Sequence, residues 1–389
     1  MMNYARAVCA AGDAQVHLVS TLNLRAPDAT HGRQLEAGIT CYPSRVDARR
    51  HRFAKLRERV CVRRIKRQMV DGLADFVLQL QENSTVLLFP NMHDYYLERQ
   101  ILLRFKALGI RIILEKNELE LGMALHFRLF QWNRLFDCLK GWISSPFHII
   151  KSMRHDRLVT GFDGVIAIST RLERWVRKYN ANVIRIPILM DDLPYPPAST
   201  ASESFNLGFA GNINARKEGL KALVTVISEC AAGERTLRLN LFGKDHDAPA
   251  RQVRRLVKRL GLGQTVRFHG LKPLSAMPTA LSQQNLLVLP RPDTLQNRYG
   301  FSTKLASYLA SGVPVLATEV GDIGMFIRDG ENGFLIPPDD RIALKAKLIK
   351  ILHMKSELTA IGQRGHETAM DHFHYRIHQA NLVAMIFGN

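Results

Sequence analysis

The stretch that decides the fold runs from Asn297 to Asp340 and reads NRYGFSTKLASYLASGVPVLATEVGDIGMFIRDGENGFLIPPDD. It has a helix-forming segment after a Gly-Phe-Ser-Thr step, then two short apolar runs at Pro314–Thr318 and Gly333–Pro337. Short apolar runs that alternate with helical segments predict parallel strands covered by helices. The stretch therefore predicts the last part of a doubly wound α/β domain.

The same alternation extends over most of the chain. A long helix is predicted from Leu56 to Leu80, because apolar residues recur there every three to five positions. Between Asp191 and Ser204, three prolines and small polar residues predict a linker. Further strands are predicted at Val16–Ser20, Val86–Pro90, Arg111–Glu115, Gly164–Ser169, Val183–Pro187, Phe205–Gly211, Leu237–Gly243, Val266–Gly270 and Leu286–Pro290. The sequence thus predicts an α/β protein with two Rossmann-like doubly wound domains facing a cleft.

Charge is the unusual feature of the composition. The 389 residues carry a net charge of +19, and residues 1–190, with 30 basic and 17 acidic side chains, account for +13 of it. The block Arg45–Arg67 alone holds eleven basic residues against Asp47 and Glu58. Such an excess indicates nucleic acid, an anionic membrane surface or a polyanionic substrate as the partner class.

Other compositional features restrict the class of protein. No apolar stretch approaches the roughly 18 to 20 residues of a membrane span, and no signal peptide is visible. The five cysteines are scattered without CxxC spacing, which is typical of a reducing compartment and excludes a Cys-rich zinc site. We predict a cytoplasmic protein that touches the inner face of the membrane without crossing it.

The region 205–340 resembles the donor domain of GT-B glycosyltransferases, specifically family 4 (group 1). The features that carry the resemblance are the AGN…K…GL start, the strand ending in FG, the VRFHG strand, the helix after YGF, the Gly-Val-Pro-Val turn and the DGENGFLIPP ending. The resemblance implies a retaining transferase that moves a sugar from a nucleotide-sugar donor to a glycan or lipid-linked acceptor. It implies no metal and no cofactor, since the nucleotide sugar is a substrate.

The resemblance implies a role for each predicted domain. Residues 1–190 are predicted as the acceptor-side domain, 191–204 as the linker and 205–370 as the donor domain. Residues 371–389 are predicted as a helix that packs back on the first domain. The predicted donor-binding residues are Gly211, Asn212, Lys217, Gly243, Leu271, Tyr299, Phe301, Ser302, Thr303 and Ser307. Ser302 or Thr303 is the candidate N-cap of a helix whose first N–H groups can bind an anion.

The chain departs from the family pattern in three places. The two family glutamates, which meet the transferred sugar and the ribose, fall at Tyr299 and Ser307. Asn212 stands where arginine is common in a pair of cations on the diphosphate, whereas Lys217 matches the lysine. Arg216, Arg298 or Lys304 are candidates to replace the lost charge, or are ordinary surface charges. By itself, the Gly211–Lys217 loop is also compatible with a plain strand-to-helix turn.

The third departure is at the amino end, where the strand and Gly-rich loop that open the family's first domain are missing. The family's first helix matches from about residue 3, so either the start codon is assigned downstream of the true one or a central strand has been lost. Within this domain His93, Glu115 and Glu118 follow predicted strands and are the candidate catalytic residues facing the sugar or acceptor.

Two segments indicate the acceptor. The block Arg45–Arg67 fits anionic lipid headgroups, and Phe127–Arg157 interleaves aromatic with basic residues as an interfacial helix does. Alternatively, these aromatics fill the core of the first domain. No nucleic-acid motif accompanies the charge, so nucleic acid is not expected as a partner. The alternative to an enzyme is a catalytically impaired GT-B relative that acts as a binding or partner subunit.

Overall fold

The structure is a computed structural model, and it describes residues 2–9, 16–19, 33–36, 39–42, 70–79, 85–88, 95–121, 149–190, 194–197, 204–215, 217–230, 237–354 and 357–387. The chain divides into two compact units. The first comprises Met1–Ile186 together with His378–Asn389, and the second comprises Pro187–Ile377. No helix in the described ranges is both long and apolar enough to cross a bilayer.

The first unit contains two sheets. Four parallel strands in the order β4-β5-β6-β7 form the larger one: β4 Thr85–Leu88, β5 Arg111–Lys116, β6 Gly164–Ala167 and β7 Val183–Arg185. The smaller sheet has the order β1-β3-β2, built from β1 Val16–Val19, β2 Arg33–Glu36 and β3 Ile39–Tyr42. Described helices are Met2–Cys9, 70–79, Tyr95–Ala107, 149–156, Thr170–Val176 and Gln379–Phe387, with a 3₁₀ turn at Arg157–Gly161.

The last helix of the chain contacts the larger sheet of the first unit. Thr85 Oγ1 donates to Ile386 O at 3.1 Å, and the guanidinium of Arg111 donates to Met385 O at 2.9 Å. Gly164 in β6 leaves room for Met385, because a Cβ there would overlap its sulfur atom. These contacts bring the carboxyl-terminal segment to the strands of the amino-terminal unit.

The second unit is one parallel sheet in the order β10-β9-β8-β11-β12-β13. Its strands are β8 Phe205–Ala210, β9 Leu237–Phe242, β10 Val266–Gly270, β11 Leu286–Leu289, β12 Val315–Thr318 and β13 Phe334–Ile336. Its helices are Leu220–Cys230, Ala248–Arg259, Met277–Ser282, Leu295–Tyr299, Thr303–Ala310, Arg341–His353 and Glu357–Phe373. Short 3₁₀ turns lie at Leu274–Ala276, Ile323–Met325 and Tyr375–His378.

Apolar strands dictate this layering. Every residue of β11 and β12 is buried, as expected for central strands covered on both faces. Leu220, Leu223, Val224 and Ile227 of the first helix turn one stripe onto the sheet, where they meet Leu239 and Leu241 among others. The predicted strands of both units are therefore confirmed, with ends that differ by one or two residues.

The smaller sheet of the first unit departs from the prediction. Two of its strands, β2 at the edge and β3 in the centre, were not expected from RQLE and ITCY, which are short and carry little apolar alternation. They form because β3 pairs with β1 in parallel and with β2 in antiparallel orientation. The predicted helix Leu56–Leu80 is described only at 70–79, where it is helical.

Candidate functional site

The strand order of the second sheet reverses direction between β8 and β11. The chain moves from β8 to β9 and β10 on one side, then returns to β11, β12 and β13 on the other. Right-handed crossovers place the helices of the two halves on opposite faces of the sheet, so the loops after β8 and β11 diverge and open a crevice. Ligands of doubly wound sheets bind at this point, beyond the carboxyl ends of the strands.

Glycines line this edge of the sheet. Gly211 follows β8 with φ +138°, and Gly243 follows β9 with φ +154°. A Cβ on Gly243 would lie well under 3.0 Å from Gly211 O, so the two turns touch backbone to backbone. Gly211 N donates to Phe242 O at 2.8 Å, and Gly243 N donates to Gly270 O at 2.9 Å. The close approach of these turns therefore requires glycine at both positions.

The helix Thr303–Ala310 begins at the same edge, because it connects β11 to the parallel strand β12. Ser302 is its N-cap, but no side chain caps the helix, and the described residues accept no hydrogen bond from Thr303 N or Lys304 N. Ser302 is 3% exposed, and its hydroxyl has no hydrogen-bond partner among the described residues. Free N–H groups at a helix start, beside a buried unpaired hydroxyl, have the chemistry to bind an anion.

The loops after β8 and β11 are tied together at this point. Asn297 Nδ2 donates to Lys217 O at 3.3 Å and to Pro292 O at 2.8 Å. Lys217 N donates to Asn214 Oδ1 at 3.0 Å, which shapes the turn that precedes the helix Leu220–Cys230. Tyr308 binds the end of β8 twice, as its hydroxyl accepts from Ala210 N at 2.7 Å and donates to Ala210 O at 3.2 Å.

A buried group of charges lies under these loops. Lys304 Nζ is 3.0 Å from Glu218 Oε1, and Arg291 Nε is 4.0 Å from Glu218 Oε2. Glu218 and Arg291 are almost fully buried, whereas the side chain of Lys304 remains 14% exposed. Burial lowers the pKa of Lys304; Glu218 acts against that shift, and Arg291 and Lys217 add to it. Of the two alternatives open for Lys304, the structure excludes an ordinary surface charge, because the side chain is largely buried.

The other predicted donor-side residues differ in exposure. Asn212 and Thr303 are exposed, while Tyr299 and Ser307 are half-buried. Leu271 is 75% exposed in the loop after β10. The backbone therefore brings Gly211 and Gly243 together, with Lys217 and Ser302 in the loops of the same edge.

Phe301 points its side chain into the protein. It is 7% exposed and contacts the ring of Phe326 edge to face, with centroids 5.6 Å apart. Phe373 lies 5.8 Å away in the same cluster. Its ring anchors the loop in the core, which leaves its main chain as the part that can face a ligand.

In the first unit, Glu115 lies in β5 and is 6% exposed. It accepts hydrogen bonds from Tyr4 in the first helix and from Asn117 Nδ2, the latter at 3.1 Å. Burial raises the pKa of Glu115, although these hydrogen bonds act against the shift. Glu118 lies half-buried in the turn after the strand. His93 lies outside the described residues.

Next to Glu115, the chain places a buried ion pair. Lys116 Nζ is 3.0 Å from Asp156 Oδ1, and both side chains are over nine-tenths buried. Asp156 also accepts from the backbone N–H groups of Glu120 and Leu121, at 2.9 and 3.0 Å. Asp156 thus orders the turn that follows β5, where the candidate Glu118 lies.

Two predicted segments of the first unit are largely outside the described residues. Nothing of Arg45–Arg67 is described, and Phe127–Arg157 is described only from residue 149. There, Ile150 and Met153 are 49% and 41% exposed on one helix with the exposed Lys151 and Arg154. No group of three or more His, Cys, Asp or Glu side chains that could hold a metal ion occurs in the described part of the chain.

The contacts that join the loops at the carboxyl edge of the second sheet were not predicted from the sequence. Glu218 and Asn297 received no role, although Asn297 is 1% exposed and joins two loops. An Asn in a polar segment and a Glu before a Gly are common on surfaces, so neither residue stands out before its long-range partner is known.

Comparisons with known proteins identify a family for part of the second unit. Residues 204–354 match the family model of "Glycosyl transferases group 1". A phosphatidyl-myo-inositol mannosyltransferase of Mycobacterium leprae is 23% identical over 72% of this chain and 83% of that protein. An exopolysaccharide phosphotransferase of Streptomyces coelicolor is 31% identical over 33% of this chain, and this match spans only 13% of that protein's length.

Solved structures share the fold. Sucrose-phosphate synthase from Thermosynechococcus elongatus superposes with a TM-score of 0.73 at 18% identity, covering 99% of this chain and 92% of that one. This likeness concerns the fold alone. With the family match, it confirms the resemblance to GT-B glycosyltransferases of group 1 predicted from the sequence.

Proposed function

We propose that this chain, whose residues 204–354 are a group 1 glycosyltransferase domain, is a retaining transferase that moves a sugar from a nucleotide-sugar donor to a glycan or lipid-linked acceptor. The observation that carries the proposal is the uncapped start of the helix Thr303–Ala310, with the buried hydroxyl of Ser302, at the point where the strand order reverses. A nucleoside diphosphate fits this edge because its charge suits free N–H groups and because nucleotides bind beyond the carboxyl ends of the strands in doubly wound sheets.

In this reaction the donor site has to stabilise the leaving nucleoside diphosphate. When the bond from the sugar to the diphosphate breaks, negative charge grows on the phosphate oxygens, and N–H groups and cations placed there in advance lower the barrier. Lys217 and the start of the helix Thr303–Ala310 supply such groups. The nucleotide sugar is a substrate in this scheme, and no resident cofactor or metal is needed.

The acceptor side is assigned to the first unit. The half-exposed Ile150 and Met153 beside Lys151 and Arg154 suit an interface where apolar tips enter the lipid and cations meet its headgroups. The mycobacterial relative is named for a lipid acceptor, which agrees with this assignment. We place the protein in the cytoplasm, at the inner face of the membrane, in surface polysaccharide or glycolipid synthesis.

Two experiments test these statements. Isothermal titration with UDP-, GDP- and ADP-sugars, followed by transfer assays, tests the enzyme; failure to bind any of them contradicts the donor site. Liposome flotation with and without anionic lipid tests the membrane surface. Equal flotation on neutral and anionic vesicles contradicts a charge-driven membrane contact.

A binding role without catalysis is the second candidate, because Tyr299 and Ser307 hold the positions of the family's two glutamates. A protein that binds the donor tightly, yet shows neither transfer nor hydrolysis with the whole panel, would be this binding subunit. Turnover of any donor excludes it.

The variant Ser307→Glu tests the alignment on which this second candidate depends. Ser307 is half-buried on the helix Thr303–Ala310. A carboxylate at this position can accept hydrogen bonds from two ribose hydroxyls, whereas the serine hydroxyl makes one short hydrogen bond. We expect nucleotide affinity to rise about tenfold, since a hydrogen bond to a charged group contributes roughly 1.5–3 kcal/mol. Titration with the nucleotide measures it. Thr225→Glu adds the same charge to a site on the helix Leu220–Cys230 that is half-buried like Ser307, and it serves as the control. An equal affinity change in both variants contradicts the assignment.

A further inference from the structure

Lys304 lies against the first loop of the donor edge, although the two are far apart in sequence. A Cβ on Gly211 would overlap Lys304 Cε and lie 3.2 Å from Lys304 Nζ. Gly211 therefore makes room for this lysine, in addition to any room it leaves for a ligand. Asn212, where the family commonly has an arginine, is the next residue. The ammonium of Lys304 thus lies beside the position from which the family's cation extends.

Two further cations act on Lys304 in its surroundings. Its ion-pair partner is Glu218, which is shared with Arg291, and Lys217 acts on it as a third cation. A buried cation in such company is stabilised by any further anion that reaches it. The side chain is 14% exposed, so a ligand at the edge has access to it.

We infer that Lys304 binds the donor's diphosphate and replaces the charge that Asn212 does not supply. The inference rests on the proposed function, because it assumes a nucleoside diphosphate at this edge. In the bound state the ammonium is shared between Glu218 and a phosphate oxygen, and the backbone N–H groups of the helix Thr303–Ala310 bind the same anion.

A purely structural role for Lys304 predicts a different result from a role in phosphate binding, so an experiment can separate the two roles. If the lysine only holds the loops through Glu218, breaking the pair from either side weakens the site. If it binds phosphate, Glu218 competes with the ligand. Lys304→Met should then weaken diphosphate binding, while Glu218→Gln, which keeps the lysine, should strengthen it.

The experiment titrates the full chain with UDP, GDP and ADP and with uridine, guanosine and adenosine, and compares each nucleotide with its nucleoside. For the nucleotide that binds, we expect Lys304→Met to lower the diphosphate-to-nucleoside affinity ratio about tenfold or more and Glu218→Gln to raise it. Because Lys304→Met leaves Glu218 with a weaker neutralising partner, the double variant Glu218→Gln/Lys304→Met is measured too. It should fold and show the same lowered ratio.

Lys350→Met is the matched control. Lys350 is exposed in the last turn of the helix Arg341–His353, which follows β13 and so ends at the opposite edge of the sheet. The diphosphate-to-nucleoside affinity ratio of this variant should equal that of the unaltered protein. Adding Asn212→Arg to the double variant should restore most of the lost ratio, because it returns the charge to the family position.

The outcomes are distinct. An unaltered protein that binds none of the nucleotides overturns the proposed function and this inference with it. A protein that binds a nucleotide, with an affinity ratio that is unchanged in the double variant or lowered by Glu218→Gln, overturns the inference alone and leaves Lys304 as a structural residue.

Discussion

Replacing Gly219 by alanine is expected to unfold the donor edge of the second unit. Gly219 has φ +68°, and a Cβ there would lie well under 3.0 Å from the backbone oxygen of Pro290. A backbone oxygen cannot rotate away as a side chain does. The loop before the helix Leu220–Cys230 therefore has to move away from the loop after β11. We expect a loss of more than about 3 kcal/mol from the free energy of unfolding, beyond the cost of the left-handed conformation.

Calorimetry with and without nucleotide measures this effect. A loss of that size lowers the melting temperature of a unit this large by about 2–4 °C per kcal/mol, and nucleotide binding should disappear with it. Gly261→Ala is the control, because Gly261 has the same φ of +68° and nothing within 4 Å of a Cβ. It should cost only about 1–2 kcal/mol and leave binding intact. Equal losses in both variants would mean that the conformation, and not the contact with Pro290, makes Gly219 necessary.

The variant Asp156→Asn should destabilise the first unit nearly as strongly. It leaves the ammonium of Lys116 buried without a carboxylate, and it turns one of the two accepting oxygens of Asp156 into a donor. Breaking a buried pair from one side typically costs about 3–5 kcal/mol. Thermal unfolding of the full chain should show the loss in the transition of the first unit.

Two further variants identify the cause of this loss. Asp71→Asn makes the same chemical change in the pair with Arg104, whose side chains are 56% and 41% exposed, and should cost at most about 1 kcal/mol. Lys116→Met combined with Asp156→Asn removes the unpaired charge and should recover part of the stability. If the double variant is as unstable as Asp156→Asn, the loss comes from the uncapped N–H groups of Glu120 and Leu121.

The sequence predicted the strands of the two larger sheets, because a central strand such as β11 is a continuous apolar run that is too short for a buried helix. It failed for β2 and β3, whose pairing depends on a neighbouring strand and not on their own composition. The turn at Gly211 and the helix start at Ser302 were predictable, because tight turns and helix N-caps favour particular residue types.

Long-range contacts of the site were not predictable in this way. Lys304 has the same local appearance as Arg298, which is exposed and paired with Asp293. Only the fold brings Glu218, 86 positions earlier, to Lys304, and only the packing of Gly211 shows why the lysine fits. Charged residues near a predicted site therefore cannot be ranked before their burial is known.

The loop after β8 is held at both ends, and this has a consequence for the energetics of binding. Tyr308 fixes Ala210 before the loop, and Asn297 and the contact of Gly219 with Pro290 fix its other end. The conformational entropy of the described loop residues, 211–215 and 217–219, is thus lost when the protein folds. A ligand that docks on this loop then meets a surface already in its binding shape, so more of the contact free energy appears as affinity.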